Sequence, residues 1–356
     1  METAINHKDK HSMTKIVLSP ASSEQSCIEM IYEQCSLSSC LLLQWQTDHF
    51  VPFHFAEQQQ KNKRLIIWDS QLTAQQFLDC WQGTLQYQAL SIHISKPHVD
   101  LSPSVVITLK EDTDEWALRP TLTQFFSKIN TSGWTLQSHS PKLQQPGLLV
   151  MDMDSTAIQI ECIDEMAKLA GVGDQVVEIT RRAMLGEIDF DESLRQRVGL
   201  LVGLPQEVIE SMLKNLPLMP GLQQLVQTLK QHEWKIVIAS GGFTYFTEYL
   251  KRELQLDKTV ANILEMTEGK LTGEVLGAIV NAQMKADVLR DCCDQWGLKG
   301  EQTVAIGDGA NDLVMIEAAG LGVAFHAKPT VNAQTLSNIQ SGSLLQLLYL
   351  MEGDAC

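Results

Sequence analysis

Cysteine is scarce in this chain, with eight in 356 residues. The spacing (27, 35, 40, 80, 162, 292, 293 and 356) contains no CxxC pair. That excludes a disulfide framework and points to reduced thiols of a cytoplasmic protein. The adjacent pair Cys292-Cys293 sits in a helical pattern and reads as packing. No apolar run reaches the length of a membrane span. The segment from Met1 to Lys15 is polar and lacks the apolar core of a secretory signal. Positive charge is also short: 27 Lys and Arg against 43 Asp and Glu leave a net charge of -16. Nucleic acid and anionic membrane surfaces are therefore excluded as main partners. A small anionic substrate is not, because a local basic cluster or a metal can reverse the field inside a pocket.

Apolar residues make up 44% of the chain, enough for a substantial core, and the length suits two domains or one domain with a large insertion. Residues 1–25 read as a polar tail. Over 26–140 the signals are short and mixed. Strands are expected at Leu41–Trp45, Leu65–Trp68, Ala89–Ile94 and Val105–Leu109, with helices at Ala74–Trp81 and Thr121–Ile129. That interleaving predicts a small α+β domain. The stretch 141–147, bracketed by Pro141 and Pro146, reads as a linker. From 148 to 356 the rhythm is regular. Apolar strands at Leu148–Met151, Lys235–Ala239 and Thr303–Ile306 each run into a polar or glycine-rich turn, with helices between. The pattern predicts an α/β, doubly wound parallel sheet. Residues 162–219 interrupt it with helices alone, as an inserted helical cap over the strand ends would.

Chemistry concentrates at those strand ends. Asp152 and Asp154 follow the first strand one residue apart. Equal parity along a strand would let both face one site. Two crowded carboxylates repel, and a cation or a raised pKa relieves them. The plainer alternative is that Asp154 or Ser155 caps the next helix. The second strand ends in Ser240-Gly241-Gly242, where backbone N–H groups and a helix start can meet an anion. An ordinary turn has the same composition. Lys285 opens a later helix, where a lone lysine is usually solvated. The third strand ends in Gly307-Asp308-Gly309-Ala310-Asn311-Asp312, an oxygen-rich cluster suited to Mg²⁺.

The order of these motifs resembles the haloacid dehalogenase-like superfamily, whose core is Rossmann-type. Residues 146 to about 340 are similar to its phosphoserine phosphatase family. The matching residues are Asp152-Met153-Asp154-Ser155-Thr156, Glu161, Arg181–Met184, Ser193–Val198, Ser240–Phe243 and Gly307–Asp312. The resemblance implies Mg²⁺-dependent hydrolysis of phosphoserine, the last step of serine biosynthesis. It implies Asp152 as nucleophile and Asp154 as the acid and base. Mg²⁺ would be held by Asp152, Asp308 and the backbone carbonyl of Asp154. Ser240, Gly241, Lys285 and Asn311 would bind phosphate, with Asp312 holding Lys285. Glu161 would take the substrate ammonium and Arg197 its carboxylate, with Met184 and Phe190 as an apolar wall. Without the resemblance, Glu161 and Arg197 read as surface charge on helices.

Two other readings remain in view. One is a phosphatase of the same superfamily with another small substrate. The other is a non-catalytic amino-acid sensor worked by the N-terminal domain, through which a homodimer could also form. The intact Asp152, Asp154, Lys285 and Asp308 argue against a dead enzyme. His49 and His54 read as structural, and Phe325–Pro329 has no assigned role.

Overall fold

The computed structural model describes residues 42–46, 49–53, 63–68, 72–128 and 133–353. The expected N-terminal tail, Leu41, His54 and the cysteines at 27, 35, 40 and 356 lie outside these residues. The chain divides into two compact units. Of the described residues, the first unit takes those up to 96 and 102–128, and the second takes 97–101 and 133–353.

The first unit is α+β. Its strands are β1 (Leu42–Gln46), β2 (His49–Phe53), β3 (Arg64–Ile67), β4 (Ala89–Ser95) and β5 (Ser104–Leu109). They pair antiparallel in the order β2-β1-β4-β5-β3. Helices α1 (Ala74–Cys80) and α2 (Glu115–Lys128) accompany the sheet. Helix α1 starts with a capping box in which Thr73 Oγ1 accepts from the Gln76 N–H and the Gln76 side chain accepts from the Thr73 N–H. Helix α2 buries Leu118, Leu122 and Phe126 at four-residue spacing, one face of the helix. Strand β2, which begins at His49, is not among the strands expected from the sequence.

The second unit is built on a seven-stranded sheet in the order β10-β9-β8-β7-β11-β12-β13. After β6 (Trp134–Gln137) come β7 (Leu148–Met151), β8 (Lys235–Phe243), β9 (Lys258–Thr267) and β10 (Lys270–Leu276). The remaining strands are β11 (Thr303–Gly307), β12 (Leu321–Phe325) and β13 (Ser337–Ile339). All neighbours run parallel except the β9–β10 hairpin. Strand β7 is central and wholly apolar, and each of its four residues is inaccessible to solvent, as a strand covered on both faces requires. Leu148 and Val150 turn to one side. There they pack with Val237, Ala239 and Ala305 beneath helix α9 (Ala282–Gln295), which contributes Ala286, Leu289, Cys292 and Cys293. Both of these cysteines are free and buried, as a packing role requires. The stretch before β7 belongs to this unit as well. Ser337 Oγ donates to the Leu136 carbonyl, and Thr135 Oγ1 accepts from the Asn338 N–H.

Between β7 and β8 the chain leaves the sheet through four helices: α3 (Cys162–Leu169), α4 (Gly173–Met184), α5 (Phe190–Gly199) and α6 (Gln206–Lys214). The two stems of this insertion are joined. The Gln159 N–H bonds the Pro217 carbonyl at 2.9 Å, and the Met219 N–H bonds the Ala157 carbonyl at 2.9 Å. The far end is also tied down. Gly203 N–H donates to the Leu271 carbonyl at 2.7 Å and Gln206 N–H to the Gly269 carbonyl at 2.8 Å, so the helical cap is hydrogen-bonded to the β9–β10 hairpin. Helix α7 (Leu222–Gln231) then leads into β8, and α8 (Thr244–Leu254) leaves it.

Candidate active site

Strands β8, β7 and β11 are parallel neighbours, so their carboxyl ends meet at one edge of the sheet. Asp152 stands immediately after β7, and its N–H bonds the Ile306 carbonyl of β11 at 3.0 Å. It shares the parity of Leu148 and Val150 and so faces the side covered by α9, which supplies Lys285 from its first turn. Lys285 Nζ lies 2.8 Å from Asp152 Oδ1 and 2.7 Å from Asp312 Oδ1. The lysine is fully buried. Burial by itself would lower its pKa, but the two carboxylates outweigh it and hold the ammonium above its ordinary value.

Asp154 reaches the site by another route than strand parity. The chain leaves β-geometry after Asp152 and turns, with Ser155 at φ 56°, a left-handed conformation uncommon for serine. Asp154 Oδ1 accepts from the N–H of Cys162, the first residue of α3, at 3.2 Å. Glu161, not Asp154 or Ser155, is the N-cap residue of α3, so the capping alternative does not hold, and Asp154 meets the Cys162 N–H from eight residues earlier with one oxygen. A Cβ added at Gly242 would lie 2.8 Å from the other oxygen, Oδ2. Burial, with the charges of Glu161 and Asp152, raises the Asp154 carboxyl well above the usual range.

Carboxylate oxygens of Asp152, Asp308 and Asp312 all lie within 4.8 Å of one another. Three carboxylates face one ammonium, and Asp152 and Asp312 are buried. Burial, aided by Asp152 and Asp312, pushes Asp308 up to about 8. A divalent cation of oxygen preference fits that donor set and would let all three remain ionised. The carboxylate of Asp154 is outside the cluster because it turns towards Cys162. Thr156 Oγ1 donates to Asp308 Oδ1 at 3.3 Å, a contact that the sequence signalled only by placing a hydroxyl beside the aspartates.

On β8, Ser240 is buried and its Oγ accepts from the Gly242 N–H at 2.9 Å. Asp312 Oδ2 accepts from the Gly309 N–H at 3.0 Å, and Asn311 is half-buried beside it. The cap brings further residues. Phe190, at the start of α5, comes so close to Gly241 that an added Cβ would sit 2.9 Å from its Cζ. Glu161 Oε1 accepts from Ser155 Oγ at 2.8 Å. Arg197 is half-buried, and burial lowers its pKa while the nearby carboxylates of Asp164, Glu161 and Asp154 oppose that. Met184, at the end of α4, is 68% exposed.

A parallel α/β core with an aspartate after its central strand, a buried lysine and a second acidic loop defines a class. Residues 147–320 match the family described as haloacid dehalogenase-like hydrolase. The phosphoserine phosphatase of Vibrio cholerae is 57% identical over 204 residues, 57% of this chain and 62% of that protein. That of Haemophilus influenzae is 55% identical over 215 residues, 60% of this chain and 68% of that protein. The crystal structure of a probable phosphoserine phosphatase from Vibrio cholerae, in its unliganded form, superposes with a TM-score of 0.66 at 43% identity. That match covers 82% of this chain and 86% of the other. The chain belongs to the phosphoserine phosphatase family of these hydrolases.

Proposed function

We propose that the protein hydrolyses O-phospho-L-serine to L-serine and phosphate, the last step of serine biosynthesis, through an aspartyl-phosphate on Asp152. The observation that carries this reading is the Lys285 bridge between Asp152 and Asp312 at the end of the central strand. Phosphoryl transfer needs in-line positioning and neutralised phosphate oxygens. Lys285 sits beside the nucleophile, 2.8 Å from Asp152 Oδ1, where it can hold one such oxygen. Ser240, the Gly241 backbone and Asn311 take the others.

Asp154 supplies the proton to the departing seryl oxygen and later removes one from the attacking water. A carboxyl whose pKa is raised by burial and by the charges of Glu161 and Asp152 suits the first step. Its bond to the Cys162 N–H keeps one oxygen fixed while the other faces the reaction. Asp152 and Asp308, with the Asp154 backbone carbonyl, would hold Mg²⁺. Bound there, the ion neutralises charge that develops on the phosphoryl group.

Glu161 and Arg197 supply the anion and cation that match the ammonium and carboxylate of the substrate, and guanidinium can grip a carboxylate bidentately. Phe190 closes the apolar side next to Gly241, and Met184, exposed at the end of α4, is read as a further part of that wall. The working place of such an enzyme is the cytoplasm, and no helix among the described residues is long and apolar enough to cross a membrane. The N-terminal unit is read as accessory to the chemistry, a unit through which a homodimer could form.

The test is a Mg²⁺-dependent phosphate-release assay over small phosphoesters, including both enantiomers of phosphoserine. The expected outcome is a clear preference for the L form. Equal rates on phosphoesters that lack the amino-acid groups would assign the chain another substrate.

A further inference from the structure

The β8–β9 ladder is interrupted where the Ser240-Gly241-Gly242 turn sits. Ala239 pairs with Val260 and Phe243 with Asn262, so four steps along β8 match two along β9. The surplus residues leave the ladder as a bulge, and a bulge strands backbone groups that the ladder would otherwise pair. Asn262 supplies a partner from the neighbouring strand. Its side chain is buried, and its Nδ2 donates to the Gly241 carbonyl at 2.8 Å.

The other end of the same carboxamide reaches a different loop. Asn262 Oδ1 accepts from the Val280 N–H at 2.9 Å. Val280 precedes Asn281, whose side chain caps α9 by accepting from the Met284 N–H at 3.2 Å. The Lys285 N–H in turn bonds the Asn281 carbonyl at 3.0 Å. One buried amide therefore joins the glycine turn to the start of the helix that carries the buried lysine. A carboxamide offers a donor at one end and an acceptor at the other at every ordinary pH, which an ionised carboxylate of the same length does not. Aspartate could accept from Val280 but would turn an oxygen against the Gly241 carbonyl.

We propose that Asn262 is a positioning residue for phosphate: it sets the separation between the Gly241 backbone and Lys285 so that both grip one phosphoryl group. The inference rests on reading those two as phosphate ligands. A misplacement of about 1 Å in such a constellation can cost on the order of a hundredfold in rate.

The experiment measures the dissociation constant of inorganic phosphate, in Mg²⁺ buffer, for the full chain, for Asn262→Asp and for Asn262→Ala. Activity on phosphoserine is measured alongside. Asn338→Asp, a buried amide on β13 away from the site, controls for lost stability. The expected result is phosphate affinity and kcat/KM falling in parallel, on the order of a hundredfold, in the Asn262 variants but not in the control. Unaltered phosphate affinity in a folded Asn262→Asp protein would overturn the inference and leave the proposed function standing. A wild-type chain that binds no phosphate would overturn both. Should neither Asn262 variant fold, amide exchange on the wild-type chain decides. Saturating phosphate is expected to slow exchange at the Val280 N–H, and no slowing there would refute the coupling.

Discussion

Lys285 Nζ and Asp152 Oδ1 lie 2.8 Å apart, with side-chain exposures of 0% and 8%. A buried ion pair is held by geometry more than by net energy, and removing one partner leaves an uncompensated charge that costs about 3–5 kcal/mol. Here Asp312 provides a second anion for the same ammonium at 2.7 Å. The nucleophilic position can therefore lose its charge without leaving Lys285 alone.

Asp152→Asn is accordingly expected to fold with a melting temperature close to that of the parent. Turnover should drop at least about a thousandfold, because an amide cannot attack phosphorus as a carboxylate does. Steady-state activity and a thermal melt on one homogeneous preparation check both halves. Substantial turnover would remove Asp152 from the nucleophilic role.

Gly242→Ala should spare the fold and injure catalysis. Its Cβ would stand 2.7 Å from Met153 Cε and 2.8 Å from Asp154 Oδ2. Those atoms must move, and Asp154 is the proposed proton donor. A tenfold to hundredfold lower kcat is expected, roughly, from such a displacement. A variant with parental kcat would show that Asp154 tolerates the shift.

Arg197→Ala should weaken phosphoserine hydrolysis far more than hydrolysis of a phosphoester without the carboxylate. A charge-assisted contact is worth on the order of 1.5–3 kcal/mol, so kcat/KM should fall roughly tenfold to a hundredfold. Matched losses on both substrates would assign Arg197 to the packing of α5.

Removal of divalent metal with EDTA should stop turnover, and Mg²⁺ should restore it. Ca²⁺ should inhibit, since it takes more oxygen ligands at longer distances and would draw Asp152 out of line. Full activity after exhaustive chelation would separate the Asp152–Asp308–Asp312 cluster from metal binding.

The first unit should lose stability in mild acid through His93. Burial, with Arg64 adding to it, lowers this imidazole to about 4. The unfolded chain, titrating near 6.5, then binds more protons than the folded one throughout the interval. Stability contributed by neutral His93 is complete above that unfolded value and is lost as pH falls towards 4, by up to about 3 kcal/mol. Urea unfolding at pH 7 and pH 5 should show a drop that His93→Gln reduces. An unchanged pH dependence in the variant would place His93 in a solvated environment.

Much of the site was legible because its parts are local. Asp152, Ser240 and Asp308 each follow an apolar strand within a residue or two, and the switch from apolar run to polar turn marks a sheet edge without any tertiary knowledge. The helical cap was legible for a similar reason, since residues 162–219 carry helical spacing and no strand pattern. The β9–β10 hairpin was not read. In it Lys258–Ala261 are only half-buried and later residues alternate with exposed ones, so no apolar run announces a strand. Asn262 went unread with it, because one asparagine has no local signature of the two backbone groups it joins. Strands β12 and β13 were likewise missed, the last being three residues long.

By itself the sequence determined the order of the catalytic motifs, the parallel core and the chemistry of each strand end, all properties of short windows of chain. Only the tertiary structure decided which groups meet. It turned Asp154 towards the Cys162 N–H, brought Asp312 into the carboxylate cluster, and buried Lys285 between two aspartates that lie 133 and 27 residues away in the chain. Such pairings depend on strand order and on the path of α9 across the sheet, and no periodicity along the chain encodes a distance between elements that the fold alone makes neighbours.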